Sequence, residues 1–324
     1  MKALVCREFG PVQSLAVAEV PDPAIAPGQV LIRVAAASVN FPDGLMVQGK
    51  YQIKPELPFV GGCEVAGHVA ATGEGVEHVR PGERVLAFCG RGGFAQLVLA
   101  PAAAVFAVPP PVELAAAAAM PLTYATTYHA LADRAQLAPG EWLLVLGAGG
   151  GVGTAAVELG KLMGARVIAA ASSREKLEAA ARCGADHLID YGTEDLRARL
   201  GAIVGTGGVD VVYDPVGGAY SEPALRSTGW RGRYLVVGFA AGEIPRIALN
   251  LPLLKGSAIV GVFWGEFRRR EPERAAAELA QLIAWLREGK IRPLVGARYC
   301  LEDGARALQR VLERGAVGKV IIEP

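Results

Sequence analysis

Two stretches of this sequence carry side chains and spacings that could do chemistry. In GGCEVAGHV, residues 61–69, the Cys63 thiol stands beside the Glu64 carboxylate inside a glycine-rich, half-apolar run. In GAGGGVG, residues 147–153, the last glycine aligns as Ala148-x-Gly150-x-x-Gly153, a GxGxxG variant with alanine in the first place. That pattern cradles a pyrophosphate. A small first residue permits the tight strand-to-helix turn, Gly150 lets phosphate approach the backbone, and Gly153 lets the helix pack on the strand. Gly151 and Val152 complete the turn and open a helix whose unpaired N–H groups and dipole favour an anion.

The choice of cofactor then depends on the residues just past the second strand of the unit. An NAD site puts Asp or Glu there, against the ribose 2′-hydroxyl. Here the sequence reads AAASSREK, with no acid at the strand end, and Ser172, Ser173, Arg174 and Lys176 come at once. Hydroxyl donors and two cations suit a 2′-phosphate, which an acid would repel. The expected cofactor is therefore NADPH. The same residues also read as a helix N-cap and a solvated first turn, and both readings can hold together.

Cys63 admits three roles: metal ligand, nucleophile or small core thiol. A nucleophile needs a cation or helix N-terminus to lower its pKa, and Glu64 is an anion. The four histidines, His68, His78, His129 and His187, show no HxxxH or HxxxE spacing. No CxxC occurs, and the five cysteines are widely spread, which suits reduced thiols in a cytoplasmic protein. Cys63 reads as a small buried thiol, and the expected metal content is none.

The elements that must position these groups fall into two regions. Before about residue 109, Pro/Gly turns separate short runs at residues 29–40, 64–73 and 83–90, a β-rich, barrel-like pattern. Beyond it, strand 142–146, helix 152–163 and strand 166–170 form a βαβ unit. Strand-like HLIDY, VDVVYD, GRYLVVGF and SAIVGVFW come next, which implies a parallel sheet wrapped by helices. An amphipathic helix is expected at 271–288, with RRRE at 268–271 as its solvated start, and GKVIIEP reads as a last strand returning to the first region. With 324 residues, 52% hydrophobic, the chain can bury two cores. A net charge of +1 without a one-sign run disfavours nucleic acid as partner, and no apolar run reaches membrane-span length.

Several stretches in order resemble the medium-chain dehydrogenase/reductase superfamily in its zinc-free quinone oxidoreductase branch. They are SVNFPDGLMVQGKY (38–51), PFVGGCEVAGHV (58–69), GVEHVRPGERV (75–85), TYATTYHAL (123–131), GAGGGVG and GKVII (318–322). The resemblance implies an α/β chain in two domains. One is a GroES-like β-barrel catalytic domain, residues 1–118 with 266–324. The other is a Rossmann doubly wound cofactor domain, residues 119–265, with nicotinamide and substrate in a cleft between them. It also implies a homodimer through the strand in SAIVGVFW. Tyr191 matches a position near the 2′-phosphate, and Gly238, Phe239, Val262, Phe263 and Trp264 match a nicotinamide wall.

Zinc-dependent relatives bind their metal at the positions of Asn40, Cys63 and Leu122, and only a thiol remains of that set. The resemblance therefore implies hydride transfer to a quinone or another α,β-unsaturated carbonyl, with Asn40, Asp43, Tyr51 and Thr126 around nicotinamide and substrate. Tyr51 is read either as a donor to the acceptor or as a loop aromatic packing on PELPF. Two alternatives stand beside this function: an enoyl-CoA or enal reductase of the same fold, and a low-turnover NADPH-binding sensor or structural protein.

Overall fold

The computed structural model describes residues 1–324. Two compact units form: Met1–Leu122 with Arg292–Pro324, and Thr123–Ile291. The first contains β1 (Lys2–Cys6), β2 (Ala16–Glu19), β3 (Gln29–Val39), α1 (Phe41–Val47), β4 (Phe59–Val60), β5 (Glu64–Thr72), β6 (Arg84–Phe88), β7 (Leu97–Pro101), β8 (Val105–Ala107) and α2 (Leu114–Ala118). The chain then enters α3 (Pro121–Tyr128), separated from α2 as the proline requires.

The second unit holds β9 (Trp142–Leu146), α4 (Gly151–Leu162), β10 (Arg166–Ala171), α5 (Arg174–Arg182), β11 (His187–Asp190), α6 (Leu196–Val204), β12 (Val209–Asp214), α7 (Ser221–Arg226), β13 (Thr228–Val236), α8 (Asn250–Lys255), β14 (Ala258–Gly261), α9 (Trp264–Arg270) and α10 (Pro272–Arg287). The tail returns to the first unit as β15 (Val295–Cys300), α11 (Gly304–Leu312) and β16 (Lys319–Glu323).

The first unit is built on a seven-stranded sheet in the order β15-β16-β3-β5-β6-β8, with β7 also on β3. Its core joins Ile32, Val65, Val85, Phe94 and, from the tail, Leu308 and Ile322. β16 pairs antiparallel with β3, Val320 opposite Val39, which brings Lys319 level with Asn40. That register, with the β3–β5 pairing that sets Ala37 opposite Val65, brings the tail beside Asn40 and Glu64.

The second unit has one parallel sheet in the order β11-β10-β9-β12-β13-β14. Numbered within the unit this is 3-2-1-4-5-6, the doubly wound order whose ligand sites lie beyond the strand C-termini. The central strands are apolar on both faces because helices cover both. Leu143–Leu146 on β9 and Val167–Ala170 on β10 are all at 0% exposure.

Three expectations shift. The boundary falls at 291/292 and not at 265/266, because α9 and α10 pack on the second unit. His129 stacks on Phe267 and Tyr128 meets Trp285 edge-on. The strand in SAIVGVFW ends at Gly261, and Trp264 opens α9. Arg268–Arg270 form the last turn of α9 and not the start of the next helix, a place where cations complement the helix dipole. No helix is long and apolar enough to cross a membrane.

Candidate functional site

Asn40 stands at the N-cap of α1, where β3 ends. Its backbone N–H donates to Asp43 Oδ2 at 2.8 Å, the return half of a capping box between Asn40 and Asp43. The Asn40 side chain donates through Nδ2 to Glu64 Oε1 at 2.8 Å and approaches Cys63 Sγ at 3.7 Å. Its Oδ1 accepts from Lys319 Nζ at 2.6 Å. Lys319 also donates to Glu64 Oε1 at 3.1 Å and to the Val39 carbonyl at 3.2 Å. Glu64 Oε2 accepts from the Leu122 backbone N–H at 2.6 Å.

This cluster lies inside the protein. Glu64 is 0% exposed, Asp43 2%, Lys319 4% and Asn40 7%. Each polar group is matched, which a buried charge requires. Burial lifts the Asp43 carboxyl to about 7. The Asn40 and Gly62 N–H groups and Lys319 pull against that rise, and Glu64 adds to it. Burial, then Asp43 and Glu64, hold the Cys63 thiol well above its ordinary value. Lys319 pulls the other way but is outweighed, so Cys63 is a protonated core thiol and not an activated nucleophile. Tyr51 packs half-buried against the same core, and burial, then Cys63 and Asp43, raise its phenol above the ordinary value.

The donor set does not suit a catalytic zinc. Such a site wants three ligands from His, Cys, Asp or Glu and an open position. Here the three family positions hold an amide, a protonated thiol and Leu122, which contributes only its N–H to Glu64. No group of three or more His, Cys, Asp and Glu side chains is arranged to hold a metal ion. The cation of the cluster is the Lys319 ammonium, 3.1 Å from Glu64 Oε1. Lys319 is the member of this buried cluster that sequence reasoning missed. Its signal was a lysine opening the otherwise apolar run within GKVII.

The nucleotide turn lies in the second unit. Gly147 takes a left-handed φ of 60° after β9, and Gly150 forms the N-cap of α4. A Cβ on Gly153 would lie 2.2 Å from the Gly147 carbonyl, so this position tolerates no side chain. A Cβ on Gly150 would meet nothing nearer than that carbonyl at 3.5 Å, leaving the side toward the helix N-terminus open. Ala148 is fully buried behind the turn. Gly151 and Val152, both half-buried, make the first turn of α4.

Ala171 at the end of β10 pairs with Asp190 at the end of β11, so Ser172 and Tyr191 leave adjacent strand ends. Lys176 Nζ donates to Ser172 Oγ at 3.2 Å. Ser173 is the N-cap of α5 but makes no side-chain capping bond. Arg174 is exposed and pairs with Glu178 at 2.9 Å, and Tyr191 lies half-buried with its ring 4.1 Å from that of Tyr220. The hydroxyls and cations expected for a 2′-phosphate thus surround one corner of the sheet.

Beyond β13, the Gly238 N–H reaches the Asp214 carbonyl at 3.3 Å, and Phe239 comes next, 37% exposed. The Val262 N–H bonds the Val236 carbonyl, Phe263 is exposed and Trp264 is buried. Thr126 sits half-buried on α3 in the second unit, while Asn40, Asp43 and Tyr51 belong to the first. A second buried carboxylate, Asp214, carries no local signal in the sequence. It accepts from the Val216 and Gly217 N–H groups, Ser221 and Tyr234, and so fixes the turn after β12.

The chain is similar to known proteins over both units. The sequence model of the alcohol dehydrogenase GroES-like domain matches residues 26–110, and that of the zinc-binding dehydrogenase family matches residues 151–284. Quinone oxidoreductase-like protein 2 of Bos taurus is 37% identical over 99% of this chain and 92% of its own length. A probable oxidoreductase from Mycobacterium abscessus superimposes with a TM-score of 0.90 at 38% identity, over 100% of this chain and 99% of its own. Escherichia coli quinone oxidoreductase, solved with NADPH, gives a TM-score of 0.91 at 27% identity over the whole of both chains. With a GroES-like unit, a 3-2-1-4-5-6 parallel sheet and these relatives, the chain belongs to the medium-chain dehydrogenase/reductase superfamily, in its quinone oxidoreductase branch.

Proposed function

We propose that this protein is an NADPH-dependent oxidoreductase that works without zinc and reduces a quinone or another α,β-unsaturated carbonyl. The observation that carries this reading is the Asn40–Glu64–Lys319 cluster, in which an amide stands at one of the metal positions and is bonded on both sides by Glu64 and Lys319. NADPH, when bound, supplies the hydride. Without a metal to polarise a simple carbonyl, the acceptor must spread developing charge over its own conjugated system, where one or two hydrogen-bond donors suffice. The Tyr51 phenol, half-buried beside Cys63 and Asp43, is the donor this reading assigns.

The cofactor side of the proposal rests on the second unit. The open Gly150 position and the N-terminus of α4 suit a pyrophosphate. Ser172, Ser173, Arg174, Lys176 and Tyr191 suit the 2′-phosphate. Asn40 enters as a residue that shapes the site, since its amide is engaged within the protein.

The test is an NADPH-oxidation screen over quinones, enals, enones and enoyl-CoA esters with purified protein. Turnover of a quinone or enone supports the proposal. Exclusive use of enoyl-CoA esters or enals assigns the alternative reductase activity. Tight NADPH binding without oxidation by any acceptor refutes the enzyme and favours a sensor or structural role. Elemental analysis finding stoichiometric zinc would refute zinc independence.

The same reading takes the protein as a cytoplasmic homodimer. Five free thiols suit a reducing compartment. The open edge of β14 offers unpaired backbone groups, and Ile259 on it is 41% exposed. Leu253, Leu254 and Trp230 are exposed at 71–77% and supply apolar surface for a second copy. Light scattering across a dilution series reads the dimer directly, and a monomer at every concentration would rule it out.

A further inference from the structure

The ligand crevice of a doubly wound sheet opens where the strand order reverses. In the order β11-β10-β9-β12-β13-β14 that point lies between β9 and β12. The glycine turn forms the β9 side of it, and residues 214–218 form the β12 side. Asp214, the last residue of β12, organises this second side from a place 2% exposed. Its Oδ1 accepts from the Val216 N–H at 2.7 Å and the Gly217 N–H at 2.9 Å. Its Oδ2 accepts from Ser221 Oγ at 3.0 Å and from the Tyr234 hydroxyl. Its carbonyl accepts from the Val237 N–H at 2.9 Å and the Gly238 N–H at 3.3 Å. Six donors thus converge on one residue.

The turn so held reaches both neighbouring loops. Gly217 and Gly218 take left-handed φ angles of 71° and 63°, a bend that the two N–H bonds to Asp214 close from inside. A Cβ on Gly147 would lie 2.8 Å from Val216 Cγ2, so Val216 packs directly on the glycine turn. On the other side, the Pro215 and Val216 carbonyls accept from the Ala240 and Ala241 N–H groups at 3.0 and 2.8 Å. A Cβ on Gly217 would meet Phe239 Cδ1 at 2.9 Å. The segment that carries Phe239 therefore hangs on a turn whose shape Asp214 sets.

We propose that Asp214 is a positioning residue for the nicotinamide half of the cofactor. It fixes Val216 against the glycine turn and Phe239 beside Gly217, and so shapes the part of the crevice within the second unit that takes the nicotinamide. The assignment rests on the NADPH-dependent function proposed above. Asp214 acts through its neighbours, because both carboxylate oxygens are engaged within the protein. The residues read for the 2′-phosphate leave β10 and β11, on the far side of β9 from β12. The Tyr191–Tyr220 ring pair at that corner is held by apolar packing and not by the carboxylate. Loss of Asp214 is therefore felt at one end of the cofactor and spares the other.

The test uses Asp214→Ala, Asp214→Asn and the triple variant Asp214→Ala/Ser221→Ala/Tyr234→Phe in the full chain. Asparagine keeps an acceptor oxygen for the two N–H groups and offers its amide to the two hydroxyls. The triple variant removes the carboxylate and both hydroxyls together, so it carries the test where Asp214→Ala alone does not fold. The first measurement is amide hydrogen exchange, which needs no cofactor. Expected is exchange faster by about tenfold or more at Val216 and Gly217 and, through them, at Ala240 and Ala241 in the alanine variants, the loss of one hydrogen bond's protection. The amides of β9 are expected to stay as in the wild type. Wild-type exchange at Ala240 and Ala241 in a folded alanine variant overturns the proposal.

The second measurement is titration with NADPH and with adenosine 2′,5′-bisphosphate, a fragment that lacks the nicotinamide. In the alanine variants Kd for NADPH is expected to rise about tenfold, and Kd for the fragment to change by less than about threefold. Asp214→Asn is expected to bind both as the wild type does. Equal loss of both ligands in the alanine variants marks a merely structural role and overturns the proposal, as does unchanged NADPH affinity. A wild type that binds neither ligand counts against the proposed cofactor, and exchange at Ala240 and Ala241 then decides for or against Asp214 as the residue that sets this turn.

Discussion

Lys176 Nζ donates to Ser172 Oγ at 3.2 Å, joining the first turn of α5 to the end of β10. A 2′-phosphate at this corner would draw on both side chains and on the Ser173 hydroxyl, which makes no capping bond. Arg174→Ala with Lys176→Ala is expected to raise KM for NADPH by about tenfold, the worth of one charge-assisted hydrogen bond at an exposed site. KM for NADH should move by less than about threefold, because the ribose hydroxyl needs no cation. Steady-state kinetics with both cofactors decide, and equal use of the two by the wild type would refute the NADPH assignment.

Gly153 and Gly150 belong to one motif but answer to different constraints. A Cβ on Gly153 would sit 2.2 Å from the Gly147 carbonyl, so the helix must move off the strand. Gly153→Ala is expected to cost about 1–3 kcal/mol of stability in urea unfolding, and cofactor affinity with it. Gly150→Ala meets only an oxygen at 3.5 Å and should fold normally while weakening NADPH binding. A Gly150→Ala protein that binds NADPH as the wild type does would remove Gly150 from the phosphate site.

These glycines show why the second unit was legible in the sequence. A parallel sheet needs apolar strands and a tight turn, and both leave local marks, as in WLLVL beside GAGGGVG. The first unit was legible only in part. Cys63 and Glu64 stood out, but their partner Lys319 lies 255 residues from Glu64 and reaches it through sheet register. No local periodicity encodes such a meeting. The domain boundary slipped for a similar reason, since an amphipathic α10 does not declare which unit its apolar face will cover. Asn40, expected only as a residue around nicotinamide and substrate, is a clamped amide, and hydrogen-bond closure of that kind is a tertiary property.

The cysteines differ sharply in reactivity. Cys300 is exposed on the surface, whereas burial lifts Cys89 to about 12, Cys183 to about 11 and Cys63 well above its ordinary value. The thiolate is the reacting species. Iodoacetamide at neutral pH should modify Cys300 first, with Cys63 and Cys89 labelled only after unfolding. Mass spectrometry of partly alkylated protein reads the order. Rapid labelling of Cys63 in the native protein would show a thiolate and reopen its nucleophilic role.

Asp43 should leave a mark on stability against pH. Its folded pKa, raised by burial to about 7, lies above the ordinary value of 3.8. Between these limits the folded state holds the proton more than the unfolded state does, so Asp43 lowers stability as pH rises from about 4 to about 7. The slope it adds is at most about 1.4 kcal/mol per pH unit. Urea unfolding of wild type and Asp43→Asn across that same window, from about pH 4 to about pH 7, measures it. The wild type should lose stability relative to the variant as pH rises, and parallel curves would mean that Asp43 titrates as an ordinary carboxyl.

Tyr51 separates a role in chemistry from a role in packing. Its ring is half-buried against the first unit's core, and burial with Cys63 and Asp43 nearby raises its phenol pKa. Both observations suit either a protonated donor or a loop aromatic that merely packs. Tyr51→Phe retains the ring and removes only the hydroxyl. If the hydroxyl donates to developing negative charge, kcat/KM for an enone and a quinone should both fall by about 10–100-fold, with the urea midpoint unchanged. A pure packing role predicts the reverse: unchanged kcat/KM for Tyr51→Phe, with Tyr51→Ala losing stability by about 1–3 kcal/mol. Measuring both variants against both acceptors therefore assigns Tyr51 whichever way the result falls.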